Sequence, residues 1–160
     1  MGLIEAHRGI LYRVANGYCR ERQDRPDLIQ EIVLQLWRAW PDYRPELRFS
    51  TWMYRISLNV AISHYRRQSR RWFATVPLEE TGVDLMAADE VLDESGEDMR
   101  LLHRLIRELE PLNRALILLF LEGEDNRAIA EILGISTSSV STRLNRLKSR
   151  LMREFDERSE

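Results

Sequence analysis

The stretch NRAIAEILGISTSSVSTRLNRLKSRL, residues 126–151, decides the fold. Val140, Leu144, Leu147 and Leu151 repeat at intervals of four, three and four, which puts them on one face of a helix. A shorter helix over 126–133 precedes it, and Gly134 between the two permits the positive backbone angle of a tight turn. Ser136 or Thr137 stands where the second helix needs a side-chain oxygen for its free amides. Ala130 is small where the helices approach each other, and Ile135 and Val140 fill the corner, so the stretch predicts a helix-turn-helix. Outward from the apolar stripe face Ser138, Ser139, Thr142, Asn145, Arg146, Ser149 and Arg153, with Arg143 and Arg150 at the flanks. Five bases and no acid lie between Val140 and Arg153. A helical hairpin that binds nothing has no need of that charge. Short hydroxyl side chains let a helix sit deep in a major groove, and Arg and Asn read base edges there, so this helix is expected to bind DNA.

Upstream, apolar residues again recur at three and four rather than two, so the chain is read as all-α. Helices are predicted over 99–109 and 111–122, and from about 137 to 155. In the N-terminal half, Leu3, Ile4, Ile10, Leu11 and Val14 suggest a first helix, with Gly9 and Gly17 as weak points. Pro26 and Asp27 open a second helix that Pro41 closes near Trp40, and Ser50 is the expected cap of a long helix to about Arg71. Two prolines, Pro41 and Pro45, make 41–48 a loop.

At 100 degrees per residue, Ile29, Ile32, Val33, Leu36 and Trp40 of the second helix share a core-facing stripe. Asp27, Gln30, Glu31, Gln35 and Arg38 lie opposite, with Leu34 in their midst. An apolar residue ringed by charges is the layout of a protein-binding hot spot, although a lone exposed leucine is also ordinary. In the long helix Tyr54, Leu58, Ala61 and Tyr65 form one buried stripe and Met53, Ile56 and Val60 a second. Asn59, Ser63, Arg66 and Arg70 run between them, flanked by Arg55 and Arg67. Residues 44–71 hold 7 Arg against Glu46 as the sole acid, a density suited to phosphates. Tyr43, Phe49 and Trp52 at the mouth of the loop suit stacking on an unpaired base, although a solvated basic face beside core aromatics would read the same way.

The 160 residues carry a net charge of -2 that hides strong segregation. Residues 1–75 hold 13 Arg and 7 acids, whereas 76–98 hold 9 acids and no base. Residues 74–98 also lack a sustained period, so they read as a connector, flexible or only locally helical. Two helical domains are therefore expected, over 1–72 and 99–160, joined by an acidic linker over 73–98. The single cysteine, Cys19, excludes an internal disulfide, and His7, His64 and His103 stand at no metal-ligand spacing. Asp27 and Glu31, four apart, are too little for a metal site. No metal or cofactor is expected, nor a membrane span or leader, which makes a cytoplasmic location the expectation.

Together these segments resemble the extracytoplasmic-function group of bacterial RNA polymerase sigma factors, part of the sigma-70 family. DLIQEIVLQLWRAW (27–40) is similar to their region 2.1 to 2.2, and RFSTWMYRISLNVAISHYRRQSRR (48–71) to region 2.3 to 2.4. LEPLNRALILLFLEGEDNRAIAEILGISTSSVSTRLNRLKSRL (109–151) is similar to region 4. The resemblance implies that Asp27, Gln30, Glu31, Leu34 and Arg38 dock on the clamp helices of the polymerase beta-prime subunit. It implies that loop 41–48 holds a base flipped from the minus-10 element. Tyr43, Arg44, Arg48, Asn59, Ser63, Arg66, Arg67 and Arg70 would then meet DNA there. The minus-35 element would be read by Ser138, Ser139, Thr142, Arg143, Asn145, Arg146, Lys148 and Arg150. Core RNA polymerase, including its beta flap, promoter DNA and an anti-sigma factor are the implied partners. Three features depart from the family pattern: a start close to the first helix, Arg44-Pro45-Glu46 in place of a small polar loop, and Ser141 where a base is common. They bear on promoter sequence rather than on class.

Three other functions compete with this reading. A two-domain helix-turn-helix regulator acting without polymerase would need a ligand pocket, and the helices offer no convergent polar groups to line one. An enzyme would need a Gly-rich phosphate loop, a nucleophile motif or a metal cluster, and the sequence has none. A helical adaptor would have no use for two Arg-rich helices.

Overall fold

The computed structural model describes residues 2–75 and 96–160, with side chains over 2–71 and 96–160. The chain divides into two compact units, Met1–Asp89 and Glu90–Glu160. The acidic connector expected over 73–98 lies, between 76 and 95, outside the described residues. Every regular element among the described residues is helical.

The N-terminal unit contains α1 (Gly2–Ala6), α2 (Arg8–Tyr18), α3 (Arg25–Ala39) and α4 (Phe49–Thr75). The single first helix of the sequence reading is broken at His7, not at either glycine. The His7 amide still closes the end of α1 on the Leu3 and Ile4 carbonyls, both at 3.2 Å. Helix α3 starts with Pro26 in its first turn, where the missing N–H costs nothing. Its core stripe is Leu28, Ile32 and Leu36, all fully buried. Ile29 and Val33 are only half-buried and Trp40 is exposed, so the stripe is rotated from the expected one. Packing on two sides explains the rotation: α2 and α4 both lie against α3 and against each other. Helix α2 supplies Ile10, Leu11, Val14, Ala15 and Tyr18 to this three-helix core, and α4 supplies Met53, Tyr54, Ser57, Leu58 and Ala61. The small Ser57 and Ala61 admit the neighbouring backbones closely.

Pro41 ends α3 by way of a 3-10 turn over Trp40–Asp42. A β-turn over 44–47 follows, with the Leu47 amide donating to the Arg44 carbonyl at 3.0 Å and Pro45 at the position that proline favours. Helix α4 then begins one residue before the expected cap. The Trp52 amide donates to the Arg48 carbonyl at 3.2 Å, so Ser50 lies inside the first turn.

The C-terminal unit contains α5 (Glu97–Arg107), α6 (Pro111–Leu121), α7 (Asn126–Leu133) and α8 (Thr137–Ser159). Each of the first three packs on α8. The helix-turn-helix is built as its sequence predicts. Asp125 accepts from the Ala128 amide at 2.8 Å and Ser136 from the Ser139 amide at 3.1 Å, capping α7 and α8. Gly134 has φ 69°, and its amide and that of Ile135 both reach the Ala130 carbonyl, at 2.9 and 3.2 Å. Ile129, Ala130, Ile132, Val140, Leu144, Leu147 and Leu151 are buried. The buried Arg114 donates to the carbonyls of Arg107 and Leu109, closing the negative end of α5. Helix α8 runs past the predicted end near 155, and Arg158 in its last turn donates two bonds to Glu108, at 3.1 and 3.2 Å.

Candidate polymerase and nucleic-acid interfaces

Three exposed faces carry the side chains that the sequence singled out. On α3, the helix surface turned away from the core exposes Asp27, Gln30, Leu34 and Arg38. Leu34 is 48% exposed, and Trp37, one turn on, is 52% exposed. Trp37 was missed by the sequence reading although its spacing of three from Leu34 marks it as a neighbour on the same face. Leu34 is therefore half of an apolar pair, not an isolated residue among charges. Glu31 does not join them. It turns toward α4, accepting from Arg67 Nη2 at 2.8 Å with His64 Nδ1 at 3.6 Å.

The second face runs along α4. Asn59, Ser63, Arg66 and Arg70 are all exposed on one line, as the spacing predicts, and Arg55, Arg67 and Arg71 flank it. Arg67 is drawn to the α3 side by Glu31, and Arg70 Nε leans on the Arg66 carbonyl at 3.4 Å. At the head of α4 four aromatic rings meet. Tyr43 stacks on Trp40 with centroids 5.3 Å apart, and it lies 5.0 Å from Trp52 and 5.7 Å from Phe49. Phe49 also touches His7 at 5.0 Å. These rings stack on each other rather than standing apart, so Tyr43 is half-buried and only Trp40 of the set is strongly exposed. Arg44 and Arg48 project from the loop into solvent.

The third face belongs to α8. Ser138, Thr142, Arg143, Asn145 and Arg146 are exposed, and Ser139 is half-buried beneath its own capping bond. Asn145, Arg146, Ser149, Arg150 and Arg153 line a shallow groove of about 400 Å³. Two of the predicted contacts are engaged elsewhere. Lys148 is half-buried with Nζ 4.6 Å from the centre of the Phe120 ring on α6, a cation-π contact that holds the side chain against its own unit. Arg150 Nε donates to Glu154 at 2.8 Å, and that bond holds the Glu154 carboxyl below its usual range. Ser141, the departure from a basic residue, faces α7, where Asn126 Nδ2 donates to its hydroxyl at 3.4 Å. A base at 141 would have to abandon this contact. Among the described residues no helix is long and apolar enough to cross a membrane.

Comparison with known proteins shows the family. Family models describe residues 3–71 as Sigma-70 region 2 and residues 99–151 as Sigma-70, region 4. The ECF RNA polymerase sigma-E factor of Haemophilus influenzae is 33% identical over 136 residues, covering 79% of this chain and 72% of that protein. The chain belongs to the sigma-70 family. It is a sigma factor of the extracytoplasmic-function group. Two solved structures share the fold of this sigma factor. One is that of CnrH in complex with the cytosolic domain of CnrY, at TM-score 0.68 and 23% identity over 98% of this chain and 86% of that one. The other is the sigma factor RpoE in complex with the anti-sigma factor NepR from Bartonella quintana, at TM-score 0.70 and 18% identity over 96% and 98%. A sigma factor places two nucleic-acid surfaces and a polymerase surface in one chain.

Proposed function

We propose that this sigma factor, which binds core RNA polymerase and directs promoter-specific initiation, divides that work among the three exposed faces. The α3 face, with Leu34 and Trp37 ringed by Asp27, Gln30 and Arg38, docks on the beta-prime clamp helices. The loop 41–48 and the α4 line of Asn59, Ser63, Arg66 and Arg70 engage the minus-10 element. Helix α8 enters the major groove of the minus-35 element with Ser138, Thr142, Arg143, Asn145 and Arg146 leading. Arg150 supports from the phosphate side, and Lys148 does so only on leaving Phe120. The observation that carries this reading is the exposed Asn59-to-Arg70 line in the same chain as the capped helix-turn-helix. The regulator that acts without polymerase is not favoured, because the N-terminal unit matches sigma region 2 over 3–71.

The reading makes the chain an initiation factor rather than a catalyst, acting in the cytoplasm where promoters are. It also assigns the acidic stretch 73–98 the part of a linker between region 2 over 1–72 and region 4 over 99–160. An anti-sigma factor covering the same faces is the expected regulator, since both structural relatives were solved with a bound partner. Co-purification with core polymerase followed by run-off transcription on a random promoter library tests the proposal. Transcripts dependent on added chain, from promoters sharing two spaced elements, are expected. A chain that binds DNA alone and never associates with core enzyme would refute it.

A further inference from the structure

We infer that Arg13, on α2, holds a backbone phosphate of promoter DNA beside the minus-10 element, with Gly9 and Tyr54 as the residues that position its guanidinium. The inference deepens the reading of this unit as sigma region 2 and rests on it.

Helix α2 lies alongside α4 and points the same way. At one end His7, just before α2, meets Phe49 with ring centroids 5.0 Å apart, and at the other Tyr18 meets Tyr65 at 6.4 Å. The loop 41–48 joins α4 at Phe49, so the first turns of α2 stand beside the mouth of that loop. Arg13 is exposed at the seam of the two helices, where its Nη2 donates to the Tyr54 hydroxyl at 3.4 Å. The next residue of α4, Arg55, is exposed as well, and the exposed Asn59 follows it by one turn. A guanidinium from α2 is thereby set at the margin of the α4 line.

Gly9 shows that this placement is built into the helix. A glycine in a helix interior costs about 1 kcal/mol relative to alanine, and Gly9 has no positive φ to account for it. A Cβ at Gly9 would stand 2.9 Å from Nη1 of Arg13, one turn on. The guanidinium occupies the space that the missing side chain leaves. The Tyr54 hydroxyl is neutral, so its bond fixes the group without cancelling the charge.

The surroundings select the partner. Between Glu5 and Glu21 the chain has three Arg and no acid, and Glu5 is taken up by Arg8 at 3.0 Å. A planar cation held in place on such a surface matches a phosphate, to which Arg donates in a fixed fork. Continuity with the α4 line makes that phosphate one of DNA rather than the anion of an acidic protein. Phosphate contacts set register and hold without reading bases, so Arg13 adds affinity and no sequence preference.

The test uses holoenzyme assembled from the complete chain and core polymerase, titrated with a promoter from the library selection at several salt concentrations. Arg13→Gln should weaken promoter binding about eightfold near 0.1 M salt and lower the slope of log affinity against log salt by about 0.9, the contribution of one phosphate. Core affinity and the ranking of promoter sequences should stay as in wild type. Arg13→Lys keeps the charge and should keep most of the slope. Methylphosphonates placed singly across the minus-10 element and its flanks locate the contact: at one position the neutral linkage should weaken wild type and leave Arg13→Gln unaffected. Gly9→Ala separates positioning from folding, because the added methyl favours the helix while displacing the guanidinium. It should melt no lower than wild type yet bind promoter several-fold more weakly. Tyr54→Phe, which keeps the ring and loses the bond to Arg13, should weaken binding in the same way with a native circular-dichroism spectrum. Equal affinity and slope for wild type and Arg13→Gln overturns the phosphate contact. A loss confined to core binding overturns it too, since Arg13 would then be a polymerase residue. Unchanged promoter affinity for both Gly9→Ala and Tyr54→Phe overturns the positioning. Failure of the wild-type holoenzyme to bind any promoter would instead overturn the sigma reading beneath it.

Discussion

Replacing Trp37 by alanine removes the largest exposed apolar side chain of α3, and the cost can be worked from its exposure. With 52% of the residue exposed, roughly half of the ~250 Å² of a tryptophan, about 130 Å², is available for burial on a partner. At ~25 cal/mol per Å² that is about 3 kcal/mol, or about a hundredfold in dissociation constant. Leu34→Asp both removes apolar contact and places a charge in a desolvated seam, so about 2 kcal/mol or more is expected. The two residues stand one turn apart, so a double variant should lose less than the sum. Titration of labelled chain with core polymerase, monitored by anisotropy, gives the affinities. Circular dichroism must stay native for both, since neither residue belongs to the core. Leu36→Asp is the control: it buries a charge at a fully occluded site and should unfold the N-terminal unit. Unchanged core affinity for Trp37→Ala and Leu34→Asp, with native spectra, would refute the assignment of this face to polymerase.

Other expectations follow from α8, Cys19 and the acidic stretch. Arg146→Ala should change which minus-35 sequences are used, by ~1–3 kcal/mol per lost bidentate base contact, whereas Arg150→Ala should weaken all promoters alike; a uniform loss at Arg146 would remove it from base reading. Burial pushes the Cys19 thiol up from 9.0 to about 11, so the folded state disfavours the thiolate. The stability this group contributes is fully present below pH 9.0 and lost as pH rises through about 11. Thiol labelling at pH 8 should therefore track unfolding, and rapid labelling of the native protein would contradict the buried placement. On the proposed reading, the 9 acids of residues 76–98 compete with phosphate for the arginines of the two modules they join in sequence. Replacing them by Ser, Asn and Gln should raise DNA affinity of the free chain, most at low salt, and that of the holoenzyme much less. Mobility-shift titrations at two salt concentrations showing no gain would make the stretch a mere spacer.

The helix-turn-helix was legible almost to the residue because its signals are local. Gly134 and Ser136 each fix a helix end through neighbours within a few positions, and the 4, 3, 4 spacing of Val140 to Leu151 needs no other chain segment to interpret. Helix α3 was harder. Apolar residues occur around much of its circumference, and which of them are buried depends on the two helices that pack on it. Leu28 was therefore overlooked and Trp40, which belongs to the aromatic group beyond the helix end, was assigned to the core. The α4 line needed only its own period, and Asn59, Ser63, Arg66 and Arg70 stand exposed as expected. The partners of Glu31 and Tyr43 lie in other elements or depend on a turn, and no periodicity reports them.

The charge on α8 shows what such long-range partners do to a functional estimate. Counting bases between Val140 and Arg153 gives five, which suggests a strong electrostatic hold on DNA. Lys148 rests on Phe120, 28 residues earlier, and Arg150 is bonded to Glu154. Arg143, Arg146 and Arg153 are left without such an anchor among the described residues. Each phosphate neutralised contributes about 0.9 to the salt dependence of binding, so with Lys148 held on Phe120 and Arg146 assigned to a base edge the helix commands a slope nearer three than five. On the proposed reading, a module with so few committed charges is expected to bind promoter DNA weakly by itself, with discrimination coming from Asn145 and Arg146 at the base edges more than from phosphate attraction. Weak modules joined in one chain gain through effective concentration only when both elements are engaged at once. The expected outcome is that promoters carrying both elements are used and promoters carrying either one alone are not.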